Sequence, residues 1–177
     1  RNLCQTRKLS TDWCAGSFLR AQVLAGASAV QLFDSWIGAL TAQEYLDSVR
    51  DHSARVLAEV ADLGVPRVHF GTRSRQHLVA MRDAGADVMG VDADTPLDEA
   101  IALLGGTTPV QGNIDPALLA GDWEALSRHV TDVLRRGASA PAHVVNLGHG
   151  VPPTTDPAVL TRMVELVHSL PDEEGVS

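Results

Sequence analysis

The chain has 177 residues, 45% of them apolar, a net charge of −8 at neutral pH and two cysteines. That length supports one domain with its own core, and that composition excludes a disordered chain. The acidic balance weighs against non-specific binding to nucleic acid or an anionic membrane, since both need a basic face, but leaves open a small anionic substrate held by a local field.

No apolar run nears the ~20 residues of a membrane span. Cys4 and Cys14 make neither a disulfide framework nor a zinc spacing, which fits free thiols in a reducing, cytoplasmic compartment. The start at Arg1, with no signal peptide in view, leads to the expectation of a processed or partial chain.

Taken in chain order, one unit recurs. An amphipathic stretch ends at glycine, a short apolar run follows, and the run stops at polar or small residues. The units are "LAGASAVQLFDS" at 24–35, "DLGVPRVHFGT" at 62–72, "DAGADVMGVDAD" at 83–94, "LGGTTPVQGNID" at 104–115 and "RRGASAPAHVVNLGHG" at 135–150. Gly26, Gly64, Gly85, Gly105 and Gly137 sit where helices call for left-handed caps. The valine-rich runs read as parallel strands buried on both faces.

Helices are predicted between the runs. One covers 42–63, opened by Thr41 and Glu44 in capping-box spacing. A second covers 96–104, with Thr95 as cap and Pro96 at the first helical position. A third covers 122–136 from Asp122. The last covers 157–170 from Asp156 and Pro157, with His168 near its C-terminal end. Residues 171–177, "PDEEGVS", are an acidic tail expected to fray.

Repeated strand–helix alternation means α/β with a parallel sheet, either doubly wound or a (β/α)8 barrel. No dinucleotide-binding or Walker glycine fingerprint follows any strand. In a barrel the C-terminal strand ends carry the chemistry. Here they are Asp34-Ser35, His69–Gly71, Asp92–Asp94, Asn113–Asp115 and Asn146–His149. A complete barrel needs eight strands, so five leave three unaccounted for.

Several strand-end residues carry two readings. His149, between Gly148 and Gly150, is an exposed turn histidine or a group offered to an anionic ligand. Ser35 begins a turn or binds a carboxylate or phosphate through its hydroxyl; no G-x-S-x-G elbow surrounds it. His69 shares a strand face with Arg67 and points either into a barrel or into the helix layer, as a satisfied core histidine. Asp92, Asp94 and Asp115 with the two histidines would make a carboxylate–histidine metal site, although no H-x-H pair accompanies them. Arg73 and Arg75 hold a substrate carboxylate or simply line a solvated loop.

Taken together, "AVQLFDSWIG", "VHFGT", "GVDADTPL", "VQGNIDP" and "VVNLGHGVPPTTDP" resemble the uroporphyrinogen decarboxylase family, in order, from about residue 18 to residue 170. The resemblance implies a (β/α)8 barrel of which this chain carries the last five βα units as a single partial-barrel domain, with 1–17 atypical. It implies decarboxylation of the four acetate side chains of uroporphyrinogen to coproporphyrinogen in heme biosynthesis, without metal or organic cofactor. It implies that Ser35 and His149 contact substrate carboxylates. The partner it implies is a small-molecule substrate, and the full-length family is expected to form homodimers.

The family's arginine segment, its pyrrole-binding aspartate and its pocket tyrosine belong to the other half of the barrel. The 177 residues alone are therefore expected to be inactive. Two alternatives stand beside this reading: a non-catalytic half-barrel, and a protein resembling corrinoid or coenzyme M methyltransferases. The latter look like zinc enzymes with an H-x-C strand, where this chain has His69-Phe70-Gly71.

Overall fold

A computed structural model describes residues 11–170. Cys4 and the acidic tail lie outside the described residues. Strands and helices alternate as β1 (Val30–Asp34), β2 (Arg67–Gly71), β3 (Val88–Gly90), β4 (Val110–Gln111) and β5 (His143–Val144), with α1 (Thr11–Leu24) before the first. Between and after the strands come α2 (Ala42–Ser48), α3 (Arg50–Ala58), α4 (Leu78–Asp83), α5 (Leu97–Leu103), α6 (Trp123–Gly137) and α7 (Pro157–Ser169). No helix among them is long and apolar enough to cross a membrane.

The five strands form one sheet in the order β1-β2-β3-β4-β5, every neighbour parallel. A doubly wound sheet reverses its order at a switch point; none occurs here. The sheet also curls. Gln111 Nε2 donates to Gln31 Oε1 at 3.0 Å, joining β4 to β1 across two intervening strands. Side chains that far apart in a flat sheet cannot touch, so the strands follow a barrel wall. The fold is an arc of five βα units from a (β/α)8-type barrel.

Period-two alternation sorts the residues between faces. On the convex side Val30, Leu19, Val56 and Val60 form a small core under α1 and α3. The larger core lies under the later helices, where Met81, Met89, Leu97, Leu104, Val110 and Val130 are buried. Each such side chain contributes about 1.5–3 kcal/mol of transfer energy. On the concave side Phe33 and Phe70 meet edge to face, centroids 5.9 Å apart. That side is open: Phe33 is 63% exposed and Val144 52%. Within the described residues β1 and β5 are both sheet edges.

The local signals hold at most positions. Gly26, Gly64, Gly85 and Gly105 all adopt positive φ. Thr41 and Glu44 form the capping box, and Asp122 and Asp156 cap α6 and α7. Three expectations need correction. Gly137 is not a left-handed cap; it is the last residue of α6, and a Cβ there would collide with the His143 ring. Thr95 does not cap α5, whose N-cap is Pro96; its hydroxyl donates to Asp92 Oδ1 at 3.0 Å. The helix expected over 42–63 breaks at Val49 (φ −124°) into α2 and α3, and a 3-10 turn follows at Ala61–Leu63. The break comes where the chain passes from Tyr45 and Val49, against the larger core, to Val56 and Val60 in the smaller one.

Candidate active-site mouth

The C-terminal ends of the five strands are stitched into one rim by contacts between loops. From β1, the Ser35 carbonyl accepts the Thr72 hydroxyl at 2.5 Å, linking to the β2 end. Next, the Arg73 amide donates to the Asp92 carboxylate at the β3 end. Asn113, buried after β4, donates its Nδ2 to the carbonyls of Asp92 (2.9 Å) and Thr95 (2.5 Å). The β4–β5 pairing continues past the strands, where Ile114 bridges Leu147 and Gly148 N donates to Ile114 O at 2.8 Å. Gly148 then lies so close to Ala93 that a Cβ would overlap Ala93 N and Cα.

This frame explains two glycines differently. Gly148 is small because another backbone occupies its side-chain space. At Gly150 a Cβ would meet nothing within 4 Å, so the two glycines around His149 do not share the single purpose of admitting a ligand. His149 and Ser35 are both exposed, and neither side chain hydrogen-bonds another described residue. They lie at opposite edges of the arc, after β1 and after β5, at the same end of the sheet. Such a pair brackets the mouth rather than meeting inside it.

The other candidate residues disperse. His69 is fully buried, with Nε2 2.8 Å from Asp34 Oδ2 and Nδ1 3.3 Å from the Met81 carbonyl. It belongs to the helix layer as a satisfied core histidine. Asp34, which also accepts the Ser53 hydroxyl at 3.1 Å, therefore faces the helix layer, while its neighbour Ser35 is exposed. Arg67 clasps Asp87 through Nε at 2.7 Å and Nη2 at 2.9 Å, tying the start of β2 to that of β3.

The three aspartates likewise have separate tasks. Asp92 is buried and braces the rim; burial pushes its carboxyl above the ordinary carboxylate range, against the opposing pull of the Thr95 hydroxyl and the Arg73 amide. Asp115 caps the turn at Pro116–Ala120, accepting Ala117 N at 2.8 Å. Asp94 is exposed. Among the described residues no three His, Cys, Asp or Glu side chains are grouped to hold a metal ion.

Sequence reasoning missed Thr72 and the Gln31–Gln111 pair, and it placed Asn113 at a strand end without finding the two carbonyls that it bonds. Glutamine inside two otherwise apolar runs was the available signal, because a polar side chain on a buried strand needs a partner.

The chain has relatives among known proteins. The family model for uroporphyrinogen decarboxylase matches residues 7–170. The chain is 57% identical to a uroporphyrinogen decarboxylase of Arthrobacter sp. (strain FB24) over 172 residues, covering 96% of this chain and 50% of the relative. It is 56% identical to that of Leifsonia xyli subsp. xyli, covering 89% and 47%. The chain thus spans about half the length of the curated relatives it matches. Among solved structures, a methyltransferase from Methanosarcina mazei superposes with a TM-score of 0.74 at 17% identity, over 88% of this chain and 46% of that one; at that identity it speaks for the fold alone. The extent of the family match and the identity to these relatives place the chain in the uroporphyrinogen decarboxylase family.

Proposed function

We propose that the chain supplies the last five βα units of a uroporphyrinogen decarboxylase, a carboxy-lyase that converts uroporphyrinogen to coproporphyrinogen in heme biosynthesis. The observation that carries the reading is the rim: five strand ends, each bearing its expected motif, converge at one end of one curved sheet. The relatives at 57% and 56% identity support the same assignment. With this reading come a cytoplasmic location and a homodimer of the complete barrel.

The chemistry asks little of a cofactor. Protonating a pyrrole α-carbon makes the ring an electron sink. The acetate C–C bond breaks, and its electron pair flows into the ring as carbon dioxide leaves. The exocyclic methylene left behind takes up a proton to become methyl while the α-carbon gives its proton back. A protein must then orient a polyanion and favour the transient cation. Ser35 donates its hydroxyl to one substrate carboxylate, and His149 donates a ring N–H to another across the mouth. The exposure of both side chains and their lack of intramolecular partners fit that task. The rest of the recognition falls to the three βα units this chain does not contain, so the chain is inactive by itself.

A methyltransferase reading has less support. His69, which would be the first zinc ligand, points into the helix layer and is taken up by Asp34. The test is a chimera joining this chain to the N-terminal half of the Arthrobacter relative, assayed for coproporphyrinogen. His149→Ala should lower kcat/KM by at least about tenfold, the scale of one charge-assisted hydrogen bond, with the circular dichroism spectrum unchanged. Equal turnover by the variant would remove His149 from the site.

A further inference from the structure

Arg73 and Arg75 look alike in sequence, but the structure separates them. Arg75 is held by Glu99 at 2.9 Å. Arg73 is exposed, and its guanidinium makes no ion pair or hydrogen bond with any described residue. The other described arginines each pair with a carboxylate, except Arg162, which lies over the Trp123 ring at 3.8 Å. No lysine occurs between residues 11 and 170.

The backbone at Arg73 is equally unusual. Its φ is +50°, the one positive value at a non-glycine among the described residues. That conformation costs roughly 1–2 kcal/mol for an ordinary L-residue. It is kept in place by the hydrogen bond from the Arg73 amide to buried Asp92. On the other side the Arg73 Cβ lies against Gly38, where a side chain would leave it no room. Its neighbour Thr72 bonds the carbonyl of Ser35. A strained position is thus braced from two strand ends, and what it presents at the rim is a cation without a partner. Backbone strain held at one position by its surroundings is a feature that collects at binding sites, and here it sets the direction of that cation.

We propose that Arg73 is a specificity residue of the mouth, pairing through its planar guanidinium with a carboxylate of a polycarboxylate substrate on the side of the rim next to Ser35. The role rests on the reading of this rim as a porphyrinogen site. It adds a residue whose contribution scales with the number of carboxylates the ligand carries.

The experiment titrates the full 177-residue chain with uroporphyrin, an octacarboxylate, and with mesoporphyrin, a dicarboxylate, following tryptophan quenching. Arg73→Gln should weaken uroporphyrin binding by at least about tenfold and leave mesoporphyrin binding within about twofold. Arg75→Gln should change neither. Arg73→Gly separates binding from folding: glycine accepts the positive φ, so this variant should melt no lower than the parent while losing the same uroporphyrin affinity. If Arg73→Gln and Arg73→Gly bind uroporphyrin as the parent does while Ser35→Ala or His149→Ala binds weakly, the role of Arg73 is refuted and the site stands. If the parent chain does not bind uroporphyrin, or none of the four variants alters its affinity, the site reading fails with it.

Discussion

Gly148 and Gly150, on either side of His149, should respond very differently to alanine. In Gly148→Ala the new methyl group would overlap Ala93 N, Cα and Cβ. Neither side can withdraw cheaply. Gly148 N is bonded to Ile114 O and Leu147 bridges Ile114, while Asp92, next to Ala93, is held by Arg73, Thr95 and Asn113. Overpacking against fixed backbone lies toward the upper part of the usual 1–3 kcal/mol, about 2–3 kcal/mol here. At Gly150 nothing stands within 4 Å and the φ is not left-handed, so Gly150→Ala should stay within about 0.5 kcal/mol of the parent. The assay is urea unfolding by circular dichroism at one fixed protein concentration. With a slope of about 2 kcal/mol/M, Gly148→Ala should lower the midpoint by about 1 M and Gly150→Ala by under about 0.3 M. Equal shifts, or a larger one at Gly150, would refute the rim packing described for this segment.

Other outcomes follow from the same geometry. Burial raises the Asp92 carboxyl, so the folded state holds a proton that the unfolded state releases. Stability should therefore fall as pH climbs from about 3.9 through the raised value, and Asp92→Asn, measured against the parent by urea midpoint, should flatten that slope. Burial lowers His143, against the opposing pull of the Gly112 carbonyl. The sign there reverses: stability should drop as pH falls below about 6.5, and His143→Gln should remove that loss. The exposed concave residues Phe33 and Val144 and the exposed loop residues Trp36 and Val151, with two sheet edges among the described residues, should drive self-association of the chain. Sedimentation velocity should show species above the 18.8 kDa monomer, diminished in Phe33→Ser/Val144→Ser; a purely monomeric parent would count against the open barrel.

Much of the architecture was legible because its signals are local. A left-handed glycine cap, a capping box or an Asp-Pro helix start depends on a few successive residues, and Gly26, Thr41 and Asp156 all behave as read. The misses are those in which a distant residue decides. Gly137 is a glycine because of His143, and Gly148 because of Ala93. Period-two alternation put Arg67 and His69 on a shared face without fixing which one, since Asp34 and Met81 settle that from other elements. Arg73 and Arg75 were indistinguishable until Glu99, 24 residues from Arg75, came into contact with it. Barrel and doubly wound sheets share the same strand–helix alternation; the strand order and the Gln31–Gln111 contact separate them.

If this chain is five-eighths of a decarboxylase barrel, it should need the missing three units and be able to meet them in solution. The decisive experiment purifies the chain and the N-terminal half of the Arthrobacter relative separately, then assays uroporphyrinogen decarboxylation by each and by the mixture. Neither piece should form coproporphyrinogen alone; the mixture should form it, together with a one-to-one complex. Turnover by the chain alone, or a complex that forms and stays inactive, would contradict the half-barrel assignment.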